Sequence, residues 1–217
     1  MKEARWNNLR GTLTAPWNAQ KKIPLWALSM NAIGILHELY HGEGTMDLSV
    51  LTHMNRSELQ SYVEFLLRQY RIMDAFWFLY VSEAFDQQTA EGINRRVWGR
   101  IPELAAKEII QRFGITEKGL TGFLKALKYF PWTILIEYDI EERDNEAFIT
   151  VPSCPPQVAR RKHGLPEFDC RDMHRGEFES FARIIDERIR VDCLFAPPDP
   201  HPDDCFCKWR FTLDATK

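Results

Sequence analysis

The first 153 residues hold no cysteine, and all five (Cys154, Cys170, Cys193, Cys205 and Cys207) fall after Ser153. Nowhere in the chain is there a Cys-x-x-Cys knuckle, the spacing typical of structural zinc. The chain also lacks a long apolar run, the longest being Ala75 to Val81, far too short to span a bilayer. The start, Met1-Lys2-Glu3-Ala4-Arg5-Trp6, has no apolar signal region. An odd thiol count without an export signal points to the cytoplasm, where disulfides are rare. There is no excess of either charge, the net being −3 with both signs interleaved. That balance leaves no electrostatic footprint for nucleic acid. Neither an internal repeat nor a low-complexity tract is present.

What remains is an ordinary globular composition, 45% apolar and 27% charged, in 217 residues. A chain of this size fits one domain, or one domain with a helical extension, and buries a core without staples. Residues 1–23 have no period and read as an N-terminal arm. A helical region spans 24–130. Its first helix starts at Pro24, with Leu25, Leu28, Ala32, Ile35, Leu36 and Leu39 at helical spacing. Asp47 caps a short helix to Met54, and Asn55 or Ser57 caps another through Gln69. The aromatic run Ile72 to Glu83 predicts a helix buried most of the way round. Further helices are expected over Gln87–Trp98, Pro102–Phe113 and Thr116–Leu127.

The pattern changes at Pro131. Trp132 to Ile140 alternates, as does Ala147 to Val151, so a hairpin with its turn at Glu141–Asn145 is expected. Helices over Pro155–His163 and Glu177–Asp186 and strands over Arg190–Ala196 and Cys205–Leu213 complete the chain. The fold class is therefore α+β: a helical N-terminal half, then an antiparallel sheet of about four strands packed against helices. Residues 131–217 form the cysteine-rich α+β region, packed with 58–130 as one unit.

Period-two geometry places Cys205, Cys207, Trp209 and Phe211 on one strand face, and Val191, Cys193 and Phe195 on another. Both faces must meet one core, since a one-residue slip would turn Lys208 and Arg210 inward. The expected pairing sets Cys193 opposite Cys207 and Val191 opposite Trp209, with Cβ atoms about 4.5–5.5 Å apart. Two readings of these thiols stay open. They are inert small hydrophobes in the core, or Cys154, Cys170, Cys193 and Cys207, with His201, bind zinc or iron.

Two motifs in the N-terminal half compete with this focus. His37-Glu38-Leu39-Tyr40-His41 matches H-E-x-x-H, which on a helix sets two imidazoles and a general base for zinc peptidase chemistry. Against it, only 23 residues precede Pro24, without the strands zincins lay over that helix. Residues 24–71 have the outline of a helix-turn-helix, with Arg56, Gln60 and Arg68 available to DNA. No basic surface accompanies them, so a ligand-responsive DNA-binding regulator is the weaker reading.

The ordered set Asp74-Ala75-Phe76-Trp77-Phe78-Leu79, Val97-Trp98, Cys154-Pro155-Pro156-Gln157, Gly164 through Cys170, Pro197-Pro198-Asp199-Pro200-His201-Pro202 and Cys207-Lys208-Trp209-Arg210-Phe211 resembles a prokaryotic domain-of-unknown-function family over roughly residues 58 to 213. More distantly, Cys154-Pro155, Cys170 and the closing Cys207 to Phe211 are similar to L-2-amino-thiazoline-4-carboxylic acid hydrolase-like proteins and to 4-vinyl-reductase domains. That resemblance implies an α+β ligand-binding fold.

The function expected is therefore binding of a small molecule, extending to hydrolysis of a small heterocyclic or amide substrate, in a pocket between the cysteine-bearing sheet and helix 72–83. Trp77, Trp209, Cys193, Cys207 and Asp199 would hold the ligand. Cys154, at a helix start that favours a thiolate, would be the nucleophile, with His163 or His201 as base. Membrane and nucleic acid are not expected partners, and a homodimer is compatible with this reading.

Overall fold

The computed structural model describes residues 46–214. The chain divides into two units, Met1–Met54 and Asn55–Lys217. In the first unit the described part holds one 3-10 turn, Ser49–His53, where Asp47 Oδ1 accepts the Ser49 N–H at 2.9 Å. The expected helix from Pro24 and the His37–His41 motif lie outside the described residues, as does most of the helix-turn-helix outline.

The second unit opens with α1 (Arg56–Ala84), 29 residues long. A capping box starts it: the Asn55 side chain accepts the Ser57 and Glu58 N–H groups, and the Glu58 carboxylate accepts the Asn55 N–H at 2.8 Å. The two helices expected over 55–69 and 72–83 are one, because Tyr70 and Arg71 between them contain no breaker. Nor is the aromatic run buried all round. Among its residues only Tyr62, Leu67, Tyr70, Arg71, Asp74, Phe78, Val81 and Ser82 are even half-buried, while Trp77 is 68% exposed and no side chain of α1 is fully buried.

Next come α2 (Gln87–Trp98), capped by Asp86, and α3 (Ile101–Arg112), with Pro102 in its first turn. The following helix, α4 (Gly119–Leu127), starts later than Thr116. Gly119 takes a positive φ of 65° there and donates its N–H to Asp186 Oδ2 at 3.0 Å. That bond and Lys118 Nζ to the Ile185 carbonyl (2.8 Å) tie the entry of α4 to the end of α7 (Arg171–Ile185).

Residues 131–140 depart most from expectation. Pro131–Leu135 is a short helix, α5, and strand β1 is Asp139–Arg143. Pro131 presets the helical φ of a first turn, and Thr133 and Ile136 donate to the Phe130 and Trp132 carbonyls at 3.0 and 2.9 Å. The same letters that alternate also carry Trp132, Leu135 and Ile136 at helical spacing. That period wins, since Trp132 and Ile136 are buried while Ile134 is 59% exposed.

Beyond β1 follow β2 (Glu146–Val151), α6 (Pro155–Lys162), α7, β3 (Ile189–Phe195) and β4 (Cys207–Leu213). The sheet order is β1-β2-β4-β3, every pair antiparallel. Its inner face carries Ala147, Ile149 and Val151 beside Phe211, Trp209 and Cys207. Against it lies α7, whose Phe178 ring centroid is 5.4 Å from that of Trp209 and 5.3 Å from that of Phe211. On the outer face Arg143 and Lys208 lie over the Phe148 ring, and Arg210 pairs with Asp192 at 2.9 Å.

The β3–β4 register is a correction: Cys193 faces Trp209 and Val191 faces Phe211, a slide of two residues from the expected pairing. Such a slide keeps every side chain on its face, so alternation cannot detect it. A bulge between Cys193 and Phe195 and the anchored 196–206 connection set the register instead. There Pro197 O accepts the N–H groups of Cys170 and Arg171 at 3.2 Å each, and the Phe206 N–H reaches Val151 O at 2.9 Å.

Candidate functional site

Among the described residues, a cavity of about 220 Å³ opens between α1, α2, α6 and α7. Its aromatic walls are Phe78 from α1, Trp98 from α2, Trp132 from α5, Tyr138 before β1, and Phe168. These rings brace one another edge to face, with centroids 5.2 Å apart for Phe78–Phe168 and 5.4 Å for Trp98–Trp132. Cys154 and Cys170 also line it. A recess of about 20 Å³ shares these two thiols and continues to Cys207, Trp209 and Val151 under the sheet.

The polar groups in this apolar space are few. Asp74 sits one turn from Phe78 on the inward stripe of α1, and Glu177 sits next to Phe178 on α7. Glu177 is 2% exposed and accepts from His174 Nδ1 at 2.5 Å. Burial raises the Asp74 carboxyl to about 6, opposed by a hydrogen bond from the Trp98 indole and assisted by Glu177. The Tyr138 hydroxyl is pushed far above its usual range by burial and by Glu177, and Tyr70 is pushed up to about 12 by burial and Asp74. Arg71 and Arg160, both half-buried, also reach the lining.

Gln157 holds the floor. It is 1% exposed; its Nε2 donates to Phe168 O at 2.9 Å, and its Oε1 accepts the Phe168 N–H at 3.0 Å. The same Nε2 approaches Cys170 Sγ at 3.5 Å. This two-way clamp gives the Cys-Pro-Pro-Gln stretch a structural role: it fixes Phe168 as a wall.

The residues singled out in the sequence fall into three places. Cys154, Cys170, Cys207 and Trp209 reach the cavity or its recess. Trp77 instead lines a separate groove of about 400 Å³ between α1 and α2, which shares Asp74, Phe78 and Trp98 with the cavity wall. Cys193, Asp199, His163 and His201 line neither. Asp199 pairs with Arg171 at 2.6 Å. His201 is held between its own loop and the connection after α6, with Nε2 3.0 Å from Glu167 Oε2, Nδ1 2.8 Å from Pro202 O, and its ring against Phe206. His163 is exposed at the end of α6.

Burial decides the thiol chemistry. Cys154 does stand at the start of α6, where a thiolate would be favoured, and the Gln157 backbone pulls its pKa down. Desolvation outweighs this and carries the thiol up to about 11; it carries Cys207 up to about 12 and Cys170 well above the usual value. All three rest as neutral thiols. Among the described residues no three His, Cys, Asp or Glu side chains gather as a metal-holding group. The five residues expected to hold zinc or iron do not come together, because Cys193 and His201 sit outside the cavity that Cys154 and Cys170 share.

Asp74, His174 and Glu177 were missed. Their signal was present: a lone acid on each apolar stripe, Asp74 between Tyr70 and Phe78 and Glu177 between Met173 and Phe181. A charge at a core-facing position is the informative exception to burial patterns.

No helix among the described residues is long and apolar enough to cross a membrane. No curated protein matches the chain. Among solved structures, the crystal structure of a trafficking protein particle complex subunit 3 from Naegleria fowleri, covalently bound to palmitic acid, is similar at 12% identity and a TM-score of 0.43. The match covers 71% of this chain and 96% of that one. Residues 52–213 match the model described as "Family of unknown function (DUF6125)", and the chain belongs to that family.

Proposed function

We propose that this protein binds a small, mostly apolar molecule in the cavity between α1, α2, α6 and α7. The observation that carries the reading is a space of about 220 Å³ with five aromatic walls and a few polar groups, Asp74, His174 and Glu177 with Arg71 and Arg160 among them. Apolar walls with sparse fixed polar groups are the usual composition of a ligand site. An apolar cavity of about 150 Å³ takes up benzene, so this one suits a one-ring compound or a short chain. Neutral thiols at Cys154 and Cys170 fit the same picture as polarisable wall atoms. Hydrolysis of a heterocyclic or amide substrate by Cys154 would need a thiolate that burial opposes, and neither His163 nor His201 lines the cavity to generate it. Binding without a covalent step is the reading the site supports best.

A panel of one-ring compounds, followed by ligand-detected NMR, tests this against Ala75→Trp, which places an indole in the lining. The expected result is binding to the natural protein that weakens at least tenfold in the variant. A panel in which nothing distinguishes the two proteins would refute the reading.

A further inference from the structure

The cavity's electrostatics narrow the ligand class. Asp74 is a half-buried carboxylate in the cavity lining, and among the described residues no Arg, Lys or His forms an ion pair with it. A buried charge without a counter-ion is costly, and a ligand that supplies one gains what the protein leaves unpaired. Behind it Glu177 adds a second acid, engaged with His174. Trp98, Trp132 and Tyr138 line the same cavity, and the face of an aromatic ring attracts positive charge. Carboxylate and aromatic faces in one small space form the recognition chemistry of an ammonium group.

We propose that the ligand is a small organic cation, a protonated amine on a one-ring or short aliphatic body, with its nitrogen at the Asp74 carboxylate. This rests on the cavity being a binding site. The charged and titratable groups that share the cavity lining with Asp74 are Arg71 from its own helix, His174 and Glu177 from α7, Arg160 from α6, Tyr138, and the thiols Cys154 and Cys170, and Tyr70 lies near it on α1. The two arginines work against a cation. Arg160, however, is turned to the Pro166 carbonyl by Nε at 2.7 Å, and Arg71 is not among the groups that set the Asp74 carboxyl.

The test uses three probes of one shape: benzylamine, benzyl alcohol and benzoate. Binding is followed by the fluorescence of the full chain, in which Trp98 and Trp132 line the cavity. Benzylamine is expected to bind at least tenfold tighter than benzyl alcohol at pH 7.5, with benzoate weakest. Cation binding needs the ionised carboxyl. A group titrating near 6 is about nine-tenths protonated at pH 5, so benzylamine affinity should fall about tenfold from pH 7.5 to 5. Asp74→Asn, a neutral isostere, should reduce the preference for benzylamine over benzyl alcohol to threefold or less. Benzoate or benzyl alcohol binding as tightly as benzylamine would overturn this proposal and leave the cavity reading standing, with the arginines as the anion's partners. An amine preference that survives Asp74→Asn would also overturn it. Failure of all three probes to bind would overturn both readings.

Discussion

Replacing Asp74 by asparagine should make the protein more stable at neutral pH, and the size of the gain follows from burial. The carboxyl titrates near 6 in the folded chain and at the ordinary 3.8 when exposed. Between those values the folded state holds a proton that the unfolded state has released. Stability therefore falls as pH rises through about 4 to 6, and the loss is complete above 6. At about 1.4 kcal/mol per pH unit the full penalty is about 3 kcal/mol. Asp74 is only half-buried, and water screens part of this, so about 1–2 kcal/mol is the expected size. Asparagine has the same shape and no charge, and its amide oxygen still accepts from the Trp98 indole. Urea unfolding of both proteins at pH 7.5 and at pH 4 isolates the effect, since titrations not coupled to Asp74 cancel in the difference. The gain should be present at pH 7.5 and absent, within error, at pH 4. Equal gains at both pH values, or a loss at pH 7.5, would refute the claim that Asp74 is held desolvated in an apolar wall.

Gln157→Ala removes both bonds to the Phe168 backbone and leaves its N–H and carbonyl without partners, at a cost of about 2–4 kcal/mol. A thermal melt should show a drop of several degrees, and an unchanged melting temperature would mean the clamp is not needed. Gly122→Ala would put a Cβ 2.1 Å from the Glu117 carbonyl oxygen, which is backbone and cannot swing away. A loss of about 2 kcal/mol in urea unfolding is expected, against less than half of that if the turn before α4 yields. With its thiol raised to about 11, Cys154 should react with iodoacetamide at pH 7.5 about a hundredfold more slowly than a free thiol. Site-mapped mass spectrometry reads that rate, and labelling as fast as glutathione would contradict the burial.

The α+β class was legible in the sequence because helix caps and strand alternation are local signals. Asn55, Asp86 and Pro155 each start a helix where local chemistry places one. What failed was decided at long range. The slide of β3 on β4 depends on how Pro197 and Phe206 are anchored to Cys170 and Val151, contacts that no periodicity encodes. Residues 131–136 satisfy two periods at once, and the choice falls to Pro131 and to the rings that Trp132 meets, Tyr70 and Trp98. Trp77 is a large ring in an aromatic run, yet a helix on the surface of its unit offers such a run to solvent as readily as to a core. The thiols did converge under the sheet in part, through Cys154, Cys170 and Cys207. The site's charged groups went unread because a single acid in an apolar stripe has no motif; its meaning comes from the partner stripe it faces, here α1 against α7.

The account stands on an open apolar room behind Phe78. Crystals pressurised with xenon, read by anomalous scattering, test that most directly, because xenon enters dry apolar cavities without any polar handle. The account predicts a xenon peak between Phe78, Trp98, Trp132 and Cys154. A map with no xenon there, and with those side chains closed onto one another, would contradict it.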